Sequence, residues 1–451
     1  MSLNIYFHID EFARDAIVAS VLKKELNSRG HKLTYGNRLS TIRLLEKFIY
    51  SFDVIIIPRS EFMSRFKSLN GNSKFPPIVI LFTESVGGVV DLKDDKLLLY
   101  HVLGREFMEG DCPYYQKVSA FLLWGNTVLD RIKKYYPNVV DKCTVVGHPR
   151  HDERCASFTL LKTESEKIRV GFITRQDLLN TFDGRQVMQW IVSSALEPSR
   201  YLYKNKKTGD FFGDPRNNLV DSIYIQSSDI NVLIKTIKRL DPNKYEVYLR
   251  VHPRENRNQW VELVEKYKIN VRFTDWHAPF AGWAKSMDYV VGPASTCFYD
   301  CCMLGVKPIS IQNINPMCHQ HLKGSYAEEF NALSKHIDKP GSIDDLLELI
   351  KTKCDSFVPS DEIKKILAFE TNYPNCKSSI NKIVDKCVAS AKINDVSKLV
   401  KCVNFVLFRI CSGFMTYASH VVRGLRGTKE QSSTFLLTRK NKKFIDNLTE
   451  G

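Results

Sequence analysis

One stretch of this chain constrains its fold more than any other. Residues 286–310 read SMDYVVGPASTCFYDCCMLGVKPIS, in which a short apolar strand is followed by a Pro/Ala/Ser/Thr loop, an apolar helix and a second short strand. This order predicts a parallel βαβ unit. Ser295 and Thr296 stand where the helix begins, so their hydroxyls and the unpaired backbone N–H groups beside them can bind a phosphate.

Strands and helices alternate along most of the 451 residues. Apolar runs between helical or turn segments predict strands at 4–9, 31–36, 53–58, 76–82, 120–125 and 143–147. After a polar stretch near 156–167 the pattern restarts, with strands at 168–174, 222–226, 246–253, 270–274, 289–292 and 307–311. We therefore expect an α/β fold of two doubly wound, Rossmann-like domains that face a central cleft.

The predicted organisation has three parts. Residues 1–165 form an N-terminal Rossmann-like domain, and residues 166–390 form a C-terminal Rossmann-like domain. Residues 391–451 form a basic amphipathic tail. Ligands in such a pair of domains bind at the carboxyl ends of the strands, in the cleft between them.

Cysteine spacing and the N-terminal sequence indicate the cellular compartment, and the absence of one glycine motif excludes a class of cofactor. The twelve cysteines contain no CxxC pair, and the N-terminus MSLNIYFHIDEFARD lacks the basic and apolar regions of a signal peptide. Both features favour a reducing cytoplasm. No GxGxxG sequence occurs, which argues against NAD as a cofactor.

The net charge of +15 is concentrated near the C-terminus. Residues 398–445 hold ten Lys/Arg against one Glu, and the nearly uncharged run 402–422 lies between cations. This pattern predicts a segment that binds the surface of an anionic inner membrane. One alternative is a buried C-terminal helix with a solvated basic tail. A spanning helix is a second, although Asn404, Arg409, Ser412, Thr416 and His420 interrupt the apolar run. A nucleic-acid contact is a third, for which no groove-reading motif is present.

Several motifs together resemble the GT-B glycosyltransferases of bacterial surface-carbohydrate biosynthesis, in particular the group related to the retaining β-Kdo transferases. They are IYFHIDEFARD, FTESVGG, VGHPRHDE, FITRQDLLNTFDGR, IQSSD, RVHPRE and VVGPASTCFYD. The resemblance covers most of residues 1–385 and implies that domain 1–165 presents the acceptor while domain 166–390 binds the nucleotide-sugar donor. It implies transfer of a sugar, Kdo from CMP-Kdo, to a lipid-linked surface polysaccharide such as O-antigen, capsule or lipopolysaccharide.

The resemblance also assigns donor-binding residues. His252 lies at the end of a predicted strand in RVHPRE, where its imidazole can reach a phosphate or a nucleotide hydroxyl. Arg175 follows another strand and can bind the phosphate of the donor or the carboxylate of Kdo. Ser295, Thr296 and Gly292 from GPAST, and Gln226 at the end of the strand predicted at 222–226, complete the donor site. Each also has a structural alternative, such as a helix cap or a surface ion pair.

Two carboxylates are the candidate catalytic groups. The related Kdo transferases use a Gln and then an Asp in a motif similar to IQSSD, which implies that Asp229 is the nucleophile of a double displacement. Glu84, beside two glycines in FTESVGG, is the candidate acid/base on the acceptor domain. The alternatives are an N-cap for Asp229 and a surface loop residue for Glu84.

No metal or other cofactor is expected. Cys318, His319 and His321 lie too close together in sequence to complete a tetrahedral site, and a DxD motif in a suitable loop is missing. Two other functions stay open: a CDP-glycerol-type glycerophosphotransferase, and a protein that binds a nucleotide sugar without turnover.

Overall fold

A computed structural model gives the fold. It describes residues 2–58, 75–82, 117–157, 165–181, 186–188, 203–204, 211–212, 217–274, 278–321, 331–354, 356–391, 397–425 and 445. Within these ranges the chain forms two parallel β-sheets, each with helices on both faces. The predicted α/β fold class of two Rossmann-like units is confirmed, and a C-terminal helix follows them.

The first sheet has six parallel strands in the order β2-β1-β3-β4-β5-β6. They are β1 (Asn4–His8), β2 (Lys32–Gly36), β3 (Val54–Ile57), β4 (Ile78–Leu81), β5 (Val118–Leu123) and β6 (Cys143–Val145). β3 and β4 are buried at every position, as central parallel strands must be when helices cover both faces. The helices of this half are α1 (Phe12–Ser28), α2 (Arg38–Arg43), α3 (Asn126–Tyr135) and α4 (Glu153–Ala156).

The second sheet has five parallel strands in the order β11-β10-β7-β12-β13. They are β7 (Ile168–Ile173), β10 (Tyr245–Arg250), β11 (Arg272–Phe273), β12 (Tyr289–Gly292) and β13 (Lys307–Ser310); β8 (Tyr203–Lys204) and β9 (Phe211–Phe212) form a separate antiparallel pair. The βαβ unit predicted at 286–310 is present as β12, helix α8 (Cys297–Leu304) and β13.

The remaining helices follow in chain order. They are α5 (Asn217–Arg239), α6 (Arg257–Lys266), α7 (Phe280–Lys285), α8, α9 (Pro316–His321), α10 (Asn331–Ser334), α11 (Ile343–Leu349), α12 (Asp361–Thr371), α13 (Ser379–Ser390) and α14 (Lys398–Leu425). Short 3-10 helices lie at Ile49–Ser51, Pro137–Lys142, Pro149–His151 and Asn375–Ser378.

The predicted strand at 222–226 is wrong, because these residues belong to the 23-residue helix α5. Ser222, Ile225, Gln226 and Asp229 are buried while Tyr224 is half exposed, and this spacing of three and four residues is helical. Five residues of mixed polarity fit either period, so the alternation alone misassigned the segment.

Helix α13 returns to the first sheet. Its buried residues Ile380, Ile383, Val384 and Cys387 share one apolar core with β1 and α1. The sequence pattern placed this helix at the end of the second domain, whereas its packing joins it to the first. The chain therefore passes between the two sheets twice.

Candidate active site

Three neighbouring strands of the second sheet end at the predicted donor site. β7 lies between β10 and β12 and, because all three are parallel, their carboxyl ends share one edge. Arg175 follows β7, His252 follows β10, and Ser295 follows β12. Adjacent strands are only about 4.8 Å apart, so the sheet order brings these predicted residues together.

Hydrogen bonds fix the loops that carry these side chains. Arg175 Nη1 donates to the backbone oxygen of Ala294, 3.0 Å away in the GPAST loop. The backbone N–H of His252 donates to Thr174 Oγ1 at 2.9 Å. The three loops therefore form one connected surface at the edge of the sheet.

Ser295 and Thr296 begin helix α8, as predicted. Ser295 Oγ accepts a hydrogen bond from the backbone N–H of Cys297 at 3.2 Å. Ser295 therefore caps the helix, which is the structural alternative to a donor-binding role. Its hydroxyl proton can still be donated to a ligand. Thr296 is 7% exposed and its side chain makes no capping bond. Both hydroxyls lie at the positive end of the helix, where an anion is favoured.

His252 is a neutral hydrogen-bond donor in this site. Its Nδ1 accepts from the backbone N–H of Arg254 at 3.3 Å, so the proton of the neutral ring is carried by Nε2. Desolvation lowers the pKa of His252 to about 4, against the opposing charge of Asp177. The pKa is lowered further by three arginines, Arg254, Arg175 and Arg14. The imidazole therefore donates from Nε2, with three guanidinium groups and the Asp177 carboxylate in its surroundings.

Arg14 belongs to the first domain and lies close enough to lower the pKa of His252. The sequence motifs had assigned it no role. It lies on α1, just beyond the carboxyl end of β1, and its Nε donates to Asp15 Oδ1 at 2.8 Å. Glu11 lies 3.4 Å from another Arg14 nitrogen. Burial raises the pKa of Glu11, while Arg14 and, from the second domain, Arg254 lower it. Charged groups of both domains thus interact across the cleft.

Gln226 fixes a loop of the predicted donor site. Its Oε1 accepts from the backbone N–H of Leu178 at 3.1 Å, and its Nε2 donates to Asp177 Oδ1 at 3.1 Å. These bonds fix the segment that follows β7 and Arg175. Gln226 is thus placed at the predicted edge, but its amide is already engaged by the protein.

Asp229 lies one turn after Gln226 on the same face of α5. It is 2% exposed, and its Oδ1 accepts from Asn315 Nδ2 at 2.6 Å. Burial raises the pKa of Asp229 to about 7, against the hydrogen bond of Asn315 and the charge of Arg175. Because Asn315 follows β13, this contact brings Asp229 to the carboxyl edge of the second sheet although it lies on a helix.

Gly292 has a packing reason to be glycine. A Cβ at this position would lie 2.4 Å from Ile173 Cγ1 and 2.8 Å from Ile173 O. The absence of a side chain lets the end of β12 approach β7, which sets the spacing of the two loops that follow.

The remaining predicted residues are Glu84 and the Cys/His group at 318–321. Glu84 lies outside the described residues. Cys318 is buried and His319 Nε2 bonds Asn313 O at 3.1 Å. Among the described residues no three His, Cys, Asp or Glu side chains are grouped closely enough to hold a metal ion.

Asp300, one turn into α8, forms contacts between the two domains. It accepts from Arg150 Nε at 3.0 Å and lies 2.9 Å from His151 Nε2. Both partners follow β6 of the first sheet. These three residues line a cavity of about 350 Å³ at the domain junction, together with Lys285, Tyr373 and Lys377.

No protein-family model matches the sequence, and no curated protein is significantly similar to it. Among solved structures, a UDP-bound MnaA of S. aureus is 10% identical with a TM-score of 0.47, covering 85% of this chain and 95% of that one. The UDP-GlcNAc 2-epimerase of Neisseria meningitidis is 10% identical (TM-score 0.46; 86% and 100% covered). The wall teichoic acid polymerase TagF is 9% identical (TM-score 0.46; 86% and 88% covered). At these values the likeness concerns overall architecture only.

Proposed function

We propose that this protein is a glycosyltransferase that uses a nucleotide sugar as donor, CMP-Kdo in its most specific form. One observation carries the proposal. Arg175, His252 and the start of α8 meet at the ends of three adjacent strands, and Arg14 of the other domain contributes its charge to the same site. A cleft of this kind suits an anionic nucleotide donor.

The polar groups of the site match the two anions of CMP-Kdo. The Nε2–H of His252 and the hydroxyls of Ser295 and Thr296 can donate to the phosphate without a metal ion. Arg175 can form a paired hydrogen bond with the sugar carboxylate. A neutral imidazole among arginines donates a hydrogen bond while the guanidinium groups supply the charge.

Asp229 is the proposed nucleophile. Its carboxylate attacks the anomeric carbon, the bond to the phosphate oxygen breaks, and CMP leaves with the electron pair. The acceptor hydroxyl then attacks the same carbon, gives its proton to Glu84, and displaces Asp229. Asn315 would orient Asp229 for both steps through its hydrogen bond to Oδ1. The first step requires the ionised form of Asp229, which predominates above its pKa of about 7.

The proposed acceptor is a lipid-linked surface glycan, and the proposed location is the cytoplasmic side of the inner membrane. The first domain presents this acceptor, and the basic C-terminal tail keeps the protein at the anionic leaflet. The helix within residues 391–451 is long and apolar enough to cross a membrane by length and composition, with a mean hydropathy of 1.5 over Leu399–Ser419.

A donor panel tests the proposal. The purified protein is incubated separately with CMP-Kdo, CDP-glycerol, UDP-GlcNAc and a GDP-sugar, and nucleotide release is followed together with the intact mass of the protein. We expect CMP release and a mass increase of one Kdo. The increase should be lost in Asp229→Ala and kept in Asp241→Ala, an exposed acid at the opposite edge of the sheet.

Other outcomes of the panel would replace the proposal. Transfer of glycerol phosphate from CDP-glycerol would identify the phosphotransferase alternative. Tight binding without turnover, unchanged by Asp229→Ala, would identify a binding protein. Release of UDP or GDP would exclude CMP-Kdo as the donor.

A further inference from the structure

Helix α14 is attached to the first domain by one of its faces. The ring of Phe408 is 1% exposed and packs edge-on against Tyr6 and Phe52, with centroids 5.9 and 5.2 Å away. Lys401 Nζ donates to Asp53 Oδ1 at 2.8 Å. Ser412 Oγ and the hydroxyl of Ser40 lie 2.7 Å apart. The helix is therefore a fixed part of the first domain along at least three turns.

The opposite face of α14 is apolar and exposed. Its side chains recur every three or four residues, the spacing of a single helical stripe. The stripe consists of Leu399 (75% exposed), Val403 (49%), Val406 (49%), Ile410 (62%), Phe414 (71%), Tyr417 (69%) and Val421 (42%). Only 17% of the apolar window of this helix is buried. A continuous apolar stripe of this size on a folded domain marks an interaction surface.

The contacts of the docked face also give the direction of the helix. Lys401 meets Asp53, directly before β3 begins, and Ser412 meets Ser40, shortly after β2 ends. Because β2 and β3 are parallel, α14 runs from the amino edge of the sheet to its carboxyl edge. Phe414, with the stripe residues after it, therefore lies towards the carboxyl edge, the side on which the cleft opens.

The positive charge of helix α14 favours an anionic bilayer as the partner of the stripe. From Lys398 to Leu425 the helix contains four Lys/Arg and no acid, and residues 426–443 add six more Lys/Arg. Two copies of such a helix would repel each other if they paired through their stripes. A surface of anionic lipid instead attracts the cations while the stripe enters the boundary between headgroups and acyl chains.

We propose that α14 lies flat on an anionic membrane with this stripe inserted, and thereby holds the mouth of the cleft at the membrane surface. The bonds of Lys401 and Ser412 to the first domain are incompatible with a helix that crosses the bilayer. The part of the inference that concerns the acceptor rests on the proposed function. The lipid of the acceptor would stay in the bilayer while its glycan reaches the first domain.

Vesicle flotation of the full chain tests the inference. Vesicles of phosphatidylcholine with phosphatidylglycerol are compared with phosphatidylcholine alone. We expect binding to the anionic vesicles only, and at least a tenfold loss in the triple variant Ile410→Ser, Phe414→Ser, Tyr417→Ser. The matched control, Tyr267→Ser, Val358→Ser, Phe369→Ser, removes exposed apolar residues elsewhere and should bind as the wild type does.

A second variant reports insertion directly and does not disturb the fold. Phe414→Trp should show a blue shift and quenching by brominated lipid, whereas Phe369→Trp should show neither. Absence of quenching in Phe414→Trp, or unchanged flotation of the stripe variant, would overturn the inference. A dimer in light scattering that the stripe variant dissociates would overturn it too, and would identify the stripe as an interface between copies. Release of CMP from CMP-Kdo in the absence of vesicles tests the proposed function separately.

Discussion

Replacement of Asp229 by Asn should stabilise the protein at high pH and abolish its turnover. The pKa of Asp229 is about 7 in the folded chain against an ordinary value of 3.8. The folded state therefore holds this proton more tightly than the unfolded state, and wild-type stability falls as the pH rises from about 4 to about 7. A difference of about three units at ~1.4 kcal/mol each corresponds to roughly 4 kcal/mol above pH 8.

The amide introduced by Asp229→Asn cannot ionise, so the variant avoids this loss. Its side-chain oxygen can still accept the bond from Asn315 Nδ2. We expect Asp229→Asn to unfold at a higher temperature than the wild type at pH 8, and the two curves to converge towards pH 4. A stabilisation of equal size at both pH values, or none at pH 8, would refute the reasoning. A carboxylate kept buried at this cost is typical of functional sites.

Glu255 provides a matched contrast, because burial also raises its pKa to about 7. Its carboxylate accepts bonds from the Thr174 hydroxyl, the backbone N–H of Gln176 and Trp260 Nε1, at 2.6–2.8 Å. An amide has one acceptor oxygen and would direct its NH2 group at a donor. At pH 8 Glu255→Gln also avoids ionisation of a buried carboxyl group, but it loses about 1–3 kcal/mol from the disrupted hydrogen bonds, so its stabilisation should be smaller than that of Asp229→Asn by about that amount. An equal rise in unfolding temperature for the two variants at pH 8 would contradict this interpretation of the network.

Three further substitutions test the site and the domain junction. Gly292→Ala places a methyl group against Ile173 and should destabilise the second domain by about 1–3 kcal/mol in thermal unfolding; an unchanged melting curve would refute the close approach. His252→Ala removes one donor and should weaken binding of CMP about tenfold in calorimetry, to the same extent at pH 6 and pH 8 because the ring is neutral at both; a strong pH dependence would refute the neutral ring. Asp300→Ala leaves Arg150 without its buried partner and should cost about 3 kcal/mol in chemical unfolding, against little change for the exposed Asp344→Ala.

Local patterns in the sequence predicted most of the fold. The runs that became β3, β4 and β12 are apolar throughout, which is typical of strands buried on both faces. The segment 222–226 is short and of mixed polarity, so either period fits it, and only its continuation into the rest of α5 makes it helical.

The candidate site was predictable only in part. Residues directly after strands, such as His252 and Arg175, could be placed because parallel strands end at one edge. Asp229 was assigned to that edge through the wrong element and reaches it through Asn315, a contact between residues 86 positions apart. The role of Arg14 depends on how two domains face each other, which no local pattern encodes.

The return of α13 to the first sheet has a mechanical consequence. The two halves are joined by two lengths of chain, one after Ser157 and one before α13, and not by a single flexible linker. Two such connections permit the halves to rotate about the line that joins the connections, and they oppose both twisting and separation of the halves. A protease cut between Ser157 and β7 should therefore leave the halves associated, because the second connection and a shared apolar core that includes Trp124, Ile173 and Phe298 still join them.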